Sequence, residues 1–76
     1  MNADVHIDAR GALCPMPILE LAKAMRALAP GTLVELVSTD RGLEADLPAW
    51  CQATGNPLVR MERREHCYVG WVRKAG

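Results

Sequence analysis

The stretch Asp8-Ala9-Arg10-Gly11-Ala12-Leu13-Cys14-Pro15-Met16-Pro17 marks a change of period. Before it, Val5 and Ile7 alternate with Asp4, His6 and Asp8, the two-residue period of a half-buried strand over Val5–Ala9. After it, Ile18, Leu21, Ala22, Met25 and Leu28 recur at three- and four-residue spacing, an amphipathic helix. Arg10-Gly11-Ala12-Leu13 forms the loop between them. Glu20 lies early in the helix and Lys23 and Arg26 lie late, in keeping with the helix dipole. Ala29-Pro30-Gly31 stops it.

Working outward, Leu33–Ser38 is a β-rich run and reads as a second strand. Thr39-Asp40-Arg41-Gly42 is a loop in which Asp40 suits a helix cap. Leu43, Leu47, Trp50, Cys51 and Thr54 mark one face of a second helix. Pro48 interrupts that helix, either as a kink or near the start of a shorter helix capped by Asp46. Gly55-Asn56-Pro57 ends it, and Leu58–Arg63 and Cys67–Arg73 read as two further strands joined through Arg64-Glu65-His66. The order β-α-β-α-β-β predicts an α+β fold: a two-layer α/β sandwich, with both helices on one face of a mixed four-stranded sheet and the other face partly open. A parallel pairing of the first two strands brings the strand-one exit, the start of helix one and the Thr39–Gly42 loop to one edge. Arg10, Cys14, Asp40 and Arg41 are then expected as neighbours there.

The chain has 76 residues, half of them apolar, and reads as one domain over residues 1–76. Nine Lys and Arg balance nine Asp and Glu, which argues against direct nucleic-acid binding and against a polybasic membrane surface. With two Trp, one Tyr and no Phe there is no stacking platform for single-stranded bases. No apolar run reaches the length of a membrane span, and the acidic N-terminus does not read as a signal peptide. Three cysteines, an odd number without a Cys-x-x-Cys pair, argue against a disulfide framework and point to a reducing cytoplasm. No compact metal-ligand spacing is present, and no metal or bound cofactor is expected.

Cys14 is the candidate nucleophile. A residue before proline is pushed out of the α region, so Cys14 suits an N-cap with Pro15 at N1; in a second register the helix starts at Pro17. Either way the sulfur lies near the positive end of the helix dipole, which lowers a thiol pKa. Pro15 and Pro17 leave Met16 and Ile18 as the N–H donors of the first turn, free to support a sulfur anion. Neither His6 nor His66 is placed to act as its base, which weakens a Cys–His hydrolase reading. Attack on an activated sulfur needs only a thiolate and access, so thiol–persulfide or thiol–disulfide exchange is the chemistry that fits. Cys51 reads as core packing. Cys67 reads as a free thiol if it faces the open side of the sheet, and Trp50 and Trp71 read as packing residues, with Trp71 alternatively an exposed contact there. Arg10, Lys23, Arg26, Asp40 and Arg41 are candidates for partner docking, against a plain solvated face and a helix cap.

Asp8 to Pro17 resembles the signature of the TusA/SirA-like sulfur carrier proteins, with Cys-Pro-x-Pro after an Asp-x-x-Gly strand exit as its most specific part. The resemblance continues through Ala29-Pro30-Gly31, Thr39-Asp40 and Asp46-Leu47-Pro48-Ala49-Trp50-Cys51 and ends at Val72-Arg73-Lys74. It implies the same β-α-β-α-β-β sandwich. It also implies a sulfurtransferase role in which Cys14 accepts sulfane sulfur as a persulfide from a cysteine desulfurase or rhodanese-like donor. The sulfur then passes to an acceptor protein serving tRNA 2-thiouridine synthesis, molybdenum-cofactor sulfur supply or sulfur oxidation. Pyridoxal phosphate belongs to the donor. A noncatalytic interaction module, or a selenium-linked relative, is the alternative.

Overall fold

The computed structural model describes residues 2–76. Its elements run β1 (Val5–Asp8), α1 (Met16–Met25), β2 (Leu33–Ser38), α2 (Leu43–Thr54), β3 (Leu58–Arg63) and β4 (Tyr68–Arg73). The predicted order holds, and the sheet is mixed, with spatial order β1-β2-β4-β3. β1 pairs parallel with β2, so their connection must cross over, and α1 supplies the crossover. β4 runs antiparallel between β2 and β3.

Strand alternation sends Val5, Ile7, Val34, Leu36, Met61, Tyr68 and Val72 to one face, where Leu21 and Met25 of α1 and Leu43, Leu47 and Cys51 of α2 pack on them. Both helices therefore cover the same face. Gly70 of β4 is required there: a Cβ at this position would overlap Leu47 Cδ2. The missing side chain lets α2 settle onto the sheet through Leu47, which is fully buried.

The opposite face has no helix but is not simply open. Leu33, Val69 and Trp71 form a second buried cluster there, with Ala3, Val37 and Cys67 against it. Trp71 is 1% exposed, which rules out the exposed-contact alternative. Its cross-strand neighbours are Glu35 and Arg60, and the Arg64 guanidinium lies 5.9 Å from the ring centroid. Long charged side chains cover apolar surface with their stems while their heads stay wet, which explains a buried Trp on a helix-free face. Among the described residues, no helix is long and apolar enough to cross a membrane.

Of the two sequence readings of Pro48, the shorter helix capped by Asp46 does not form. α2 is one helix from Leu43 to Thr54 with Pro48 inside it, preceded by Gly42 and ended by Gly55 at φ +81°. Asp46 is its fourth residue and caps nothing.

Candidate functional site

The strand-one exit is a built turn. Asp8 takes the Arg10 side chain in a two-pronged ion pair, 2.9 Å from each of Nε and Nη2, and also accepts the Arg10 backbone N–H. This arginine holds the Asp8 carboxyl down at about 2. Gly11 follows at φ +86°, a conformation L side chains rarely adopt, and donates its N–H to Thr39 Oγ1 at 2.9 Å. That bond ties the exit of β1 to the exit of β2, so the two loops share an edge as the topology requires.

Cys14 sits exposed at this edge, and the Cys14–Pro15 peptide is cis. The helix starts between the two predicted registers, with Pro15 at the N-cap, Met16 at N1 and Pro17 at N2. Cys14 therefore stands one residue ahead of the cap instead of being the cap. The expected free donors are engaged. Met16 N–H bonds Leu13 O at 2.8 Å, closing a turn around the cysteine, and Ile18 N–H bonds Pro15 O at 3.1 Å. The first turn of α1 thus offers the sulfur neither of its expected N–H groups.

What the sulfur meets is a carboxylate. Cys14 Sγ donates to Asp46 Oδ2 at 3.0 Å. The lowered thiol pKa expected from the helix dipole is therefore reversed. The bond to Asp46, the burial of the sulfur's surroundings and the negative charges of Asp46 and Asp40 all push the Cys14 thiol up. Asp46 is where a carboxylate belongs, in the acidic first turn of α2 with Glu44, at the positive end of that helix. Asp40 accepts the Gly42 N–H at 3.1 Å at the entry to α2. Both carboxylates come within 3.4 Å of where a Gly42 Cβ would stand, so they converge on one small volume beside Cys14.

Of the predicted docking residues, only Asp40 comes close enough to influence Cys14. Arg10 turns to the helix-free face, because Asp8 alternates onto that face and claims its guanidinium; there it lines a groove of about 340 Å³ with His6, Glu35, Val37, Arg64 and Cys67. The expected grouping of Arg10 with Cys14 is corrected accordingly. Arg41, Lys23 and Arg26 are exposed, the last two along α1 and its C-cap. Leu13 and Met16, which flank the Cys14–Pro15 pair in the chain, are exposed at 75% and 49%, and Leu19, further along α1, at 53%. His6 is bonded to Glu35 at 3.0 Å on the helix-free face, and His66 lies in the β3–β4 turn. Among the described residues, no three His, Cys, Asp or Glu side chains converge as metal ligands.

A small two-layer α+β fold that offers a single exposed cysteine at the edge between β1 and α1 defines a class of thiol-presenting proteins. Comparison with known proteins makes it specific. A model of the family described as "Sulfurtransferase TusA" matches residues 5–74, and the chain belongs to that family of sulfur carriers. It is 36% identical over 73 residues to the "Sulfur carrier protein TusA" of Pseudomonas aeruginosa (strain PAO1), covering 96% of this chain and 92% of that one. It is 38% identical over all 76 residues to YrkF of Bacillus subtilis (strain 168), of which it spans 41%. The crystal structure of a SirA-like protein from Desulfitobacterium hafniense superposes with a TM-score of 0.80 at 20% identity, covering 95% of this chain and 99% of that one, and shows the shared fold.

Proposed function

We propose that this protein relays sulfane sulfur as a persulfide on Cys14. The observation that carries the reading is an exposed thiol at the β1–α1 edge of a TusA-family chain. The other two cysteines support a one-thiol relay. Cys51 is buried on the sheet-facing side of α2, where burial pushes its thiol up to about 11, and Cys67 lies on the opposite face of the sheet.

The chemistry is two displacements at sulfur. The Cys14 thiolate attacks the outer sulfur of a donor persulfide; the donor's S–S bond breaks, its thiolate leaves, and Cys14–S–SH forms. An acceptor thiolate then attacks that outer sulfur and the Cys14 thiolate is regenerated. No electrons enter or leave, and no cofactor is needed on this chain. The partners are a cysteine desulfurase or a rhodanese-like donor and a downstream acceptor protein. The pathway served is tRNA thiolation, molybdenum-cofactor sulfur supply or sulfur oxidation, and the site of action is the cytoplasm.

The test is intact-protein mass spectrometry after incubation with a cysteine desulfurase, pyridoxal phosphate and cysteine, then with a rhodanese-type donor. A sulfur-sized mass gain that maps to the Cys14 peptide and vanishes in Cys14→Ser is expected. No gain from either donor overturns the relay and leaves a noncatalytic interaction module.

A further inference from the structure

We infer that Asp46 latches Cys14 by accepting its S–H, and that a cationic side chain of the docking partner opens the latch by pairing with the Asp46 carboxylate. This rests on Cys14 being the sulfur-carrying residue.

Three observations on different elements converge. The first is the 3.0 Å bond itself, from the loop before α1 to the first turn of α2. It requires a proton on the sulfur, since a carboxylate can only accept. The second is the state of Asp46. Its backbone N–H is fixed to Gly42 O at 2.9 Å, and the neighbouring Leu47 is seated over Gly70, so its carboxylate is held in place by packed helix. Among the described residues no cation lies within ion-pair distance of it, so no pairing inside the chain competes for the carboxylate. The third is the lack of any compensating donor on α1, whose Met16 and Ile18 N–H groups already serve Leu13 and Pro15.

The two carboxylates that act on Cys14 do so in one direction. Asp46 and Asp40 disfavour a sulfur anion, α1 carries no acid or base in its first turn, and Arg10 is paired with Asp8 on the far face. Positive charge set beside these carboxylates favours the thiolate needed for attack. A Lys or Arg pairing with Asp46 removes the hydrogen-bond acceptor and the repulsion together, and the released proton passes to water. The partner surface that fits is apolar, to cover Leu13, Met16 and Leu19, with a cation set toward Asp46 and Asp40. Such a carrier stays quiet toward stray electrophiles until it is docked.

Asp46 could instead be a general base, and the two roles predict opposite signs. The experiment follows iodoacetamide alkylation of the Cys14 peptide against pH in the full chain, for wild type, Asp46→Asn, Asp46→Glu and Asp40→Asn. The latch predicts that Asp46→Asn speeds alkylation at pH 7 by roughly three- to tenfold and moves the profile to lower pH, that Asp46→Glu returns toward wild type, and that Asp40→Asn gives a smaller change of the same sign. If Asp46→Asn fails to fold, the sign of Asp40→Asn decides. An unchanged or slower rate overturns the latch.

A second arm compares sulfur loading from inorganic tetrasulfide, which brings no cation, with loading from a cysteine desulfurase. In the first, the thiolate takes one sulfane sulfur and a trisulfide anion leaves. Asp46→Asn is expected to accelerate loading from tetrasulfide and not from the desulfurase; equal acceleration by both overturns the cationic partner. Faster alkylation of Asp46→Asn in a protein that no donor loads keeps the latch and rejects the carrier reading.

Discussion

Cys14 and Cys67 both lie near carboxylates and at the rim of the sheet, yet their surroundings use charge in opposite ways. In the groove beside Cys67 the acids are engaged: Asp8 holds Arg10 and Glu35 bonds His6. The groove holds these partnered side chains with a half-buried thiol among its lining residues. Around Cys14 the acids are unmatched, and the thiol itself supplies the missing hydrogen. The difference teaches that a cysteine's place relative to a helix end says less about its chemistry than whether its neighbours have already found partners.

The strongest test of this contrast is all-or-none. Cys14→Ser should abolish sulfur loading while Cys67→Ser leaves it at the wild-type level, as read by mass spectrometry of the intact protein; loading that persists in Cys14→Ser and disappears in Cys67→Ser would invert the comparison. Next in size is the support beneath the Cys14 side. Gly70→Ala forces Leu47 off the sheet and should cost about 1–3 kcal/mol, the usual range for overpacking, seen as a lower midpoint in urea.

The third cysteine calibrates both. Burial raises the folded-state pKa of Cys51 to about 11, above the value of 9.0 for a free thiol. Its contribution to stability is therefore complete below pH 9 and is lost as pH rises through 11, a change on the order of 2–3 kcal/mol. Wild type should lose stability between pH 9 and 11 more steeply than Cys51→Ala, measured by urea unfolding at each pH. Equal slopes would mean that the thiol is less enclosed than its packing indicates. Smallest is Asp8→Asn. It leaves Arg10 unmatched beside Cys67, and should change Cys67 alkylation by no more than about twofold while Cys14 is unaffected, because exposed charges in high dielectric act weakly.

Much of this was legible in the sequence. The alternation of Val5 and Ile7 and the helical spacing of Ile18, Leu21 and Met25 set the elements, and the β-α-β order placed Cys14 on the edge shared with the Thr39–Gly42 loop. What the sequence hid was the partner of each polar group. Asp46 two residues before Pro48 reads locally as a cap; its reach to Cys14 spans 32 positions and exists only once α2 is packed. Met16 and Ile18 read as free donors until Leu13 and Pro15 turn their carbonyls toward them. Trp71 falls on the helix-free face by alternation, but its burial depends on where the Arg64 side chain lies, which no period encodes.

The close approach at Gly70 has a further consequence. Leu47, the residue whose methyl fills the space of the absent side chain, directly follows Asp46 in the chain. The seating of α2 on the sheet thus also places the first turn that carries Asp46. A methyl group added on β4, beneath the layer of helices, would displace Leu47 and disturb the helix turn that carries Asp46. Gly70 thus bears on the Cys14–Asp46 contact without touching it, and a survey of variants limited to the rim of the site would miss it.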